Sequence, residues 1–517
     1  MQVHLAVNSE SHRTWHPLSA GWWSGHVYNQ GHWLSLTEVD QALQNIHSAA
    51  DLAQLLNNWN GHFALLWSRD ELHLAATDIG RSIPLFWQVA PERITLSDEP
   101  ITTTGTPNRW QTTGALANSE FVPGHATLWQ GWQQLQAGEI LEVKTGLCYL
   151  HNYFPHRRPT SPERTTQDWE EAFQSVIERI TDRLISYANG RTIILPLSGG
   201  YDSRIILATL HRKSYPHLKA FTYGLADSAE VRIATEIAKQ LNIDWQFVPY
   251  DKELIARFGQ AEWSAYASYA SKGSSLPQEQ DFFALLHLKN MGWLEAGSII
   301  CPGYCGDFQA GSYLPGPGLP WPPQRKRRLQ EQLLARFVRQ TDATTRQMWL
   351  PQLPQMDIED DTQYVSELEH WVLREYVSKY IVNGVRAYEW FECDWHLPLW
   401  DMAFIRFWQQ VPNELRQGME LYRRVLRENW FKPYNIVFPE DDKVPTAGFS
   451  IGSWLPPQWK RKLKGYLPAK QTVDVNGLQQ LIPLIQAQLS WPETDLSKSV
   501  NEMIGHWYHE FINHKRV

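Results

Sequence analysis

Between residues 59 and 143 the apolar positions come in short alternating runs, at 63–68, 72–76, 83–87, 94–96 and 140–143, with turn residues between them. That pattern predicts a strand-rich unit. From Trp169 the period lengthens, and Phe173, Ile177, Ile180 and Leu184 fall on one helical face. An apolar run at 192–197 then reads as a buried strand, followed by the polar turn 198–203 and a second apolar run at 204–210 that reads as a helix. Further strands are expected at 219–224, 242–248 and 298–300, with a helix at 231–241. Strands and helices alternating at this length imply right-handed βαβ units and a parallel sheet, with ligands outside the strand C-termini. The segment 156–162 is polar, carries two prolines and reads as a linker. The expected division is 1–155, a linker at 156–168, and 169–517, with no internal repeat.

Composition sharpens this outline. A chain of 517 residues with 43% hydrophobic content is long enough for two cores. A net charge of -8 argues against a nucleic-acid surface. The basic run Arg325-Lys326-Arg327-Arg328 reads as a solvated loop and the acidic run 357–361 as a solvated turn. The first residues lack a signal-peptide pattern and no stretch of about 18 apolar residues occurs, so the expectation is a cytoplasmic protein without membrane insertion. Cys148, Cys301, Cys305 and Cys393 are too few and too irregularly spaced for a disulfide framework or a zinc knuckle. The 26 tryptophans read as core and interface mass.

The chemistry concentrates in Ser198-Gly199-Gly200-Tyr201-Asp202-Ser203. Two glycines allow close backbone approach and positive φ, and the helix that begins near Asp202 directs free N–H groups and a positive dipole end at an anion. A phosphate suits that place. Asp202, repelled by bare phosphate, makes sense as a ligand of the magnesium ion that accompanies a nucleotide. The run lacks the lysine of the common phosphate-binding loop.

As it stands, SGGYDS resembles the pyrophosphatase loop of adenylating enzymes that include asparagine synthetases, β-lactam and carbapenam synthetases and lasso-peptide cyclases. The resemblance implies ATP and Mg2+, cleavage between the α and β phosphates, and attack of an amine on an acyl-adenylate. It implies a nucleotide site drawn from Leu197, Ser198, Gly199, Gly200, Asp202, Ser203, Tyr223, Gly224 and Gly303, with Asp202 and Asp307 on the metal. The first unit resembles the family's glutaminase domain in Asn60-Gly61-His62-Phe63-Ala64-Leu65-Leu66-Trp67, in Pro123-Gly124-His125, and in Asp78-Ile79-Gly80-Arg81-Ser82-Ile83-Pro84-Leu85-Phe86, where the glycine falls one place early. The fold class so implied is α/β: an N-terminal αββα sandwich of the N-terminal-nucleophile type, then a parallel-sheet ATP-pyrophosphatase domain. Position 2 is Gln2 where the family's nucleophile is a cysteine. The expectation is a degenerate glutaminase unit that hydrolyses no glutamine.

Pro302-Gly303-Tyr304-Cys305-Gly306-Asp307 is closer to the Gly-Tyr-Gly-x-Asp of β-lactam synthetases than to the Gly-Glu-Gly-x-Asp-Glu of asparagine synthetases. By that likeness Tyr304 assists deprotonation of the attacking amine. A phenol, with an ordinary pKa of about 10, needs a carboxylate partner for such work; Glu389 and Glu375 are both candidates. Trp395-His396-Leu397-Pro398-Leu399-Trp400-Asp401 resembles the family's Arg-x-Pro-Phe-Leu-Asp signature, with His396 for arginine and Asp401 a structural cap. Lys443 sits where relatives have a lysine that neutralises the α-phosphate and the developing oxyanion. The proline-rich 313–323 is irregular, a lid or a surface insertion.

The expected activity is that of an ATP-dependent amide-forming ligase. It would join a small-molecule, peptide or sugar carboxylate to an amine or to ammonia from a partner source, with surface-polysaccharide or natural-product biosynthesis as the setting that the resemblance suggests. An ammonia-dependent asparagine synthase and a non-catalytic nucleotide-binding scaffold are the alternatives.

Overall fold

The computed structural model describes residues 2–8, 12–100, 106–112, 114–155, 157–159, 161–257, 259–315, 323–339, 342–442, 478–488 and 500–514. The first part contributes strands β1 (Gln2–Ala6), β2 (His16–Leu18), β3 (Gly21–Asn29), β4 (His32–Trp33), β5 (Trp59–Arg69), β6 (Leu72–Thr77), β7 (Phe86–Val89), β8 (Arg93–Ser97), β9 (Trp132–Gln134), β10 (Glu139–Lys144) and β11 (Leu147–Asn152). Among the described residues they form two sheets. One is antiparallel in the order β11-β10-β6-β5-β3-β2, with β4 added beside β3; the other runs β1-β8-β7-β9, with β1 and β8 parallel. His62 to Trp67 are buried without interruption, the mark of a strand covered on both faces. The helix Ala49–Leu56, started by the Ser48 side chain accepting the Asp51 N–H, packs on β5 and β10.

The run expected as a strand at 83–87 enters the sheet only at Phe86. Before it the Asp78 carboxylate accepts N–H groups from Phe63, Gly80 and Ser82 and ties the chain into a turn. Pro84, with no N–H to donate, fits that turn better than a ladder.

The helix Thr166–Ala188 begins inside the segment read as linker. Thr165 accepts the Asp168 N–H while Asp168 accepts the Thr165 N–H, and this reciprocal cap starts the helix three residues early. The parallel sheet follows: β12 (Ile193–Pro196), β13 (Leu218–Gly224), β14 (Asp244–Pro249), β15 (Ile299–Ile300) and β16 (Asp394–Trp395), in the spatial order β14-β13-β12-β15-β16. The chain winds outward one way from β12 to β14, then returns to β12's other side with β15. The strand order therefore reverses between β12 and β15, and ligands of such sheets bind outside the strand C-termini at that reversal. The loops that leave these two strands begin at Leu197 and Cys301.

One correction concerns the charge runs. Arg325 to Arg328 open the helix Arg325–Phe337, and are not a loop. The acidic run is their counterpart: Arg325 pairs with Asp361 and Lys326 with Asp357. The tryptophans do fill the core, with Trp67, Trp110, Trp169, Trp263, Trp349, Trp408 and Trp430 among the largest fully buried side chains. No helix among the described residues is long and apolar enough to cross a membrane.

Candidate functional site

Strand β12 ends at Pro196, and the next residue, Leu197, bonds through its N–H to Phe221 O at 2.8 Å while its carbonyl accepts the Thr222 hydroxyl at 2.8 Å. These two bonds to β13 fix where the loop starts. Ser198 then folds back on the helix Tyr201–Arg212: its N–H donates to Ser203 Oγ at 3.1 Å, and its hydroxyl lies 3.1 Å from the same oxygen and accepts the Gly200 N–H at 3.2 Å. No side chain caps this helix, so its positive end is left for an anion.

The glycines serve close approach, and positive φ, expected from the sequence, is not used. Gly200 has φ -73 and Gly199 is not among the positive-φ residues. A Cβ at Gly199 would lie 3.3 Å from Ile233 Cδ1, and one at Gly200 3.2 Å from Ser198 Oγ. Gly303, on the loop after β15, is tighter still, since a Cβ there would stand 2.4 Å from the Ser203 N–H nitrogen. The β15 loop thus lies directly on the start of the Ser203 helix.

That contact brings Asp202 and Asp307 together. The Asp307 N–H donates to Asp202 Oδ2 at 3.0 Å, and the Tyr422 hydroxyl donates to Asp202 Oδ1 at 2.6 Å. Asp202 is half-buried and Asp307 exposed. Burial, then the neighbouring Asp307 charge, push the Asp202 carboxyl up to about 7. Two carboxylates that resist ionising together, at the mouth of a phosphate-type loop, offer hard oxygen ligands of the sort magnesium takes. A Cβ at Gly306 would come within 2.9 Å of the Asp202 carboxylate, so the glycine keeps this face open.

Arg204 organises the loop from behind and was missed in the sequence. Fully buried, it donates to Gly199 O at 2.5 Å, to Ile436 O at 3.1 Å and to Asp441 Oδ2 at 2.7 Å. Drawing the Gly199 carbonyl inward leaves the loop's N–H edge to the outside. The same guanidinium anchors the segment that leads to Lys443, which itself lies outside the described residues. Arg423 donates to Asp441 O in that cluster.

Tyr304 has a different partner from the two glutamates proposed for it. Its half-buried hydroxyl lies 3.1 Å from the Tyr388 hydroxyl and donates at 3.4 Å to Asp281 Oδ2 and Gln278 Oε1. Asp281 also accepts the Tyr388 hydroxyl at 2.5 Å and the Tyr223 hydroxyl at 2.6 Å. Burial and the Asp281 charge hold the Tyr304 phenol well above its ordinary value, and burial raises Asp281. Gly384 makes room for the cluster, because a Cβ there would sit 1.7 Å from Gln278 Oε1 and 2.9 Å from the Tyr304 oxygen. Sequence offered one signal for Asp281, an acidic residue in the first turn of the helix Gln280–Asn290. Nothing in the sequence tied it to Tyr304.

Glu389 is held elsewhere. It pairs with Arg13 and, at 2.9 Å, with Arg386, and accepts the Tyr269 hydroxyl at 2.5 Å and the Trp395 indole N–H at 2.8 Å. Glu375 accepts the Gly124 N–H, the Gln136 amide at 2.6 Å and Lys379 at 2.5 Å. Two arginines and a buried lysine outcompete a phenol for these carboxylates. Tyr223, expected on the nucleotide, spends its hydroxyl on Asp281 and stacks on Tyr250 at 5.0 Å. Gly224 beside it takes φ 126, and its carbonyl accepts the Tyr250 N–H. Asp401 caps the helix Met402–Gln410 through the Ala403 N–H, and pairs with Arg183.

Residues 191–432 match the family model described as asparagine synthase. Over 255 residues the chain is 25% identical to the carboxyethyl-arginine beta-lactam-synthase of Streptomyces clavuligerus, a match that takes in 47% of each chain. The chain thus spans about half the length of this curated relative. A glutamine phosphoribosylpyrophosphate amidotransferase from B. subtilis, solved with ADP and GMP, covers 45% of this chain and 72% of its own at 10% identity. Its TM-score of 0.18 is too low to carry a likeness of fold.

Proposed function

We propose that this chain, whose residues 191–432 match the asparagine synthase family model, is an ATP-dependent ligase that closes an amide between a carboxylate and an amine. The observation that carries the proposal is the Asp202–Asp307 pair beside the uncapped helix at the sheet's reversal point. Asp202 and Asp307 would hold Mg2+ on the pyrophosphate, and Ser198, Gly199, Gly200 and Ser203 would hold the phosphates themselves. ATP supplies the adenylyl group: a substrate carboxylate oxygen bonds to the α-phosphorus as the bond to pyrophosphate breaks. The amine nitrogen then bonds to the acyl carbon, and AMP leaves with the oxygen.

The proton shed by the amine goes to the Tyr304 group. A phenol held above its ordinary value is a poor standing base, so the phenol acts as a relay, taking the amine's proton as it passes its own to Asp281, directly or through Tyr388. Burial raises the Asp281 carboxyl, which makes it a better proton acceptor. Lys443, placed on sequence grounds alone, would offset charge on the α-phosphate and the oxyanion.

The reading includes no glutaminase step. Cys148 is the one cysteine in residues 1–155; it lies on β11, and burial raises its thiol, the reverse of an activated nucleophile. From the Streptomyces relative only the reaction class is carried over.

The test is exchange of labelled pyrophosphate into ATP, with candidate carboxylates supplied one at a time. Carboxylate-dependent exchange that disappears in Asp307→Asn supports adenylation. Tight ATP binding with no exchange across a broad panel favours a nucleotide-binding scaffold.

A further inference from the structure

His26, His62 and His396 converge where the antiparallel sheet meets the end of β16, far along the chain from any proposed ATP ligand. His26 on β3 and His62 on β5 stand directly opposite in the strand register, so both side chains leave the same face. His396 follows β16 and is fixed by its N–H to Ile300 O at 3.1 Å. All three are buried, at 8%, 4% and 5% exposure. Their ring centres form a nearly equilateral triangle with sides of 5.4, 5.3 and 5.2 Å. One nitrogen from each ring can be chosen so that the three lie within 4.8 Å of one another, and His26 Nε2 is 3.1 Å from His396 Nδ1.

We propose that these three imidazoles form a zinc site, with a fourth coordination position open to solvent. Imidazoles held at a Zn–N distance of about 2.0–2.1 Å around a tetrahedral ion have ring centres about 5 Å apart, close to the triangle seen here. The site opens on a cavity of about 360 Å³ that His26 and His62 line together with Thr14, His16 and Asp394, and this leaves room for a water ligand. Imidazole ligands favour zinc over magnesium, so this site and the Asp202–Asp307 oxygen pair select different ions.

The local charges permit a dication. Arg13, Arg183 and Arg191 are each bound to a carboxylate, of Glu389, Asp401 and Asp394 respectively. An imidazole ligates in its neutral form, and no carboxylate pairs with any of the three rings among the described residues. Two bonds are exchanged on binding: the His26–His396 contact, and the 3.3 Å bond from the Leu397 N–H to His62 Nε2. The ion would join the two sheets through a single atom, independently of whether the chain is a ligase.

The experiment strips the full chain with a chelator and titrates it with Zn2+ against a chromophoric competitor, with Co2+ as a spectroscopic substitute. The expected result is one equivalent of Zn2+ at a Kd below about 1 µM, an intense visible Co2+ spectrum of tetrahedral type, and a loss of about 100-fold or more in affinity in the His62→Asn/His396→Asn double variant. His16→Asn, in the same cavity, keeps the affinity. Failure to bind an equivalent at about 10 µM Zn2+, or an affinity that the double variant leaves unchanged, overturns the site. Should the double variant not fold, the Co2+ spectrum of the unaltered chain decides alone: a weak octahedral spectrum, or none, overturns it.

Discussion

The backbone N–H of Asp307 donates to the carboxylate of Asp202 across 105 positions of sequence. That one bond closes the loop after β15 onto the loop after β12, at the point where the sheet reverses its winding. The Asp202 carboxyl is pushed up to about 7. Raised in the folded state above the unfolded value of 3.8, Asp202 makes the native protein bind more protons than the unfolded chain between those two pH values. Stability without magnesium therefore falls as pH rises from about 4 to about 7. Thermal melts in a chelator should show this decline, Asp202→Asn should flatten it and raise the pH 7.5 melting temperature by about 1–3 °C, and the same variant should lose about 100-fold or more in turnover with magnesium and ATP present. A pH profile identical in parent and variant would count against the pair as the source.

Arg204 predicts a different phenotype, because it touches the loop through carbonyls. Removing it leaves the buried Asp441 carboxylate without its cation and frees the Gly199 carbonyl. Arg204→Ala should cost about 3–5 kcal/mol of stability, measured by chemical denaturation. Arg204→Lys keeps the charge but cannot span three acceptors in a planar fork. It should fold with a raised KM for ATP.

The tyrosine cluster divides the two half-reactions. Asp281→Asn preserves shape but cannot take up a proton, so it should reduce amide formation by about 100-fold or more while pyrophosphate exchange continues. Tyr304→Phe should behave alike, whereas Tyr388→Phe should lose less, since Tyr304 keeps its direct contact with Asp281. Exchange and amide formation falling together in Asp281→Asn would assign the residue to packing instead.

The parts of this architecture that sequence made legible are those with a local signature. Strand β12, its polar turn and the following helix announce themselves through a continuous apolar run, paired glycines and an apolar helix start. Asp307 was placed only by resemblance of the segment after the apolar run 298–300 to a family motif, and not by periodicity or spacing. Strands β1, β2 and β4 did not show, because they are short or partly exposed and carry little alternation. Arg204 hid inside an apolar helix, where a lone arginine looks like an exposed residue until Ile436 and Asp441 fold over it. Asp281 and Tyr304 are joined by tertiary packing around Gly384, which no periodicity encodes. The basic run at 325–328 misled because its neutralising partners lie about thirty residues on, at Asp357 and Asp361.

Glu389 carries the last prediction, and it is one of structure instead of chemistry. Its carboxylate sits between the Arg13 and Arg386 guanidiniums, with Tyr269 and Trp395 donating from the sides. Arg386 also reaches the Ser82 carbonyl at 2.6 Å, so the cluster ties the first sheet region to the helix Arg386–Trp390. Breaking a buried pair from one side leaves a cation without compensation, and here there are two. Glu389→Gln retains the acceptor oxygen for one donor and loses the charge, and should destabilise the fold by about 3–5 kcal/mol in denaturant titration. Assayed well below its melting temperature, it should keep its turnover within about threefold, since none of its partners is the Tyr304 hydroxyl. A stable Glu389→Gln protein with turnover reduced by about 100-fold or more would instead make Glu389 the carboxylate that serves the amine.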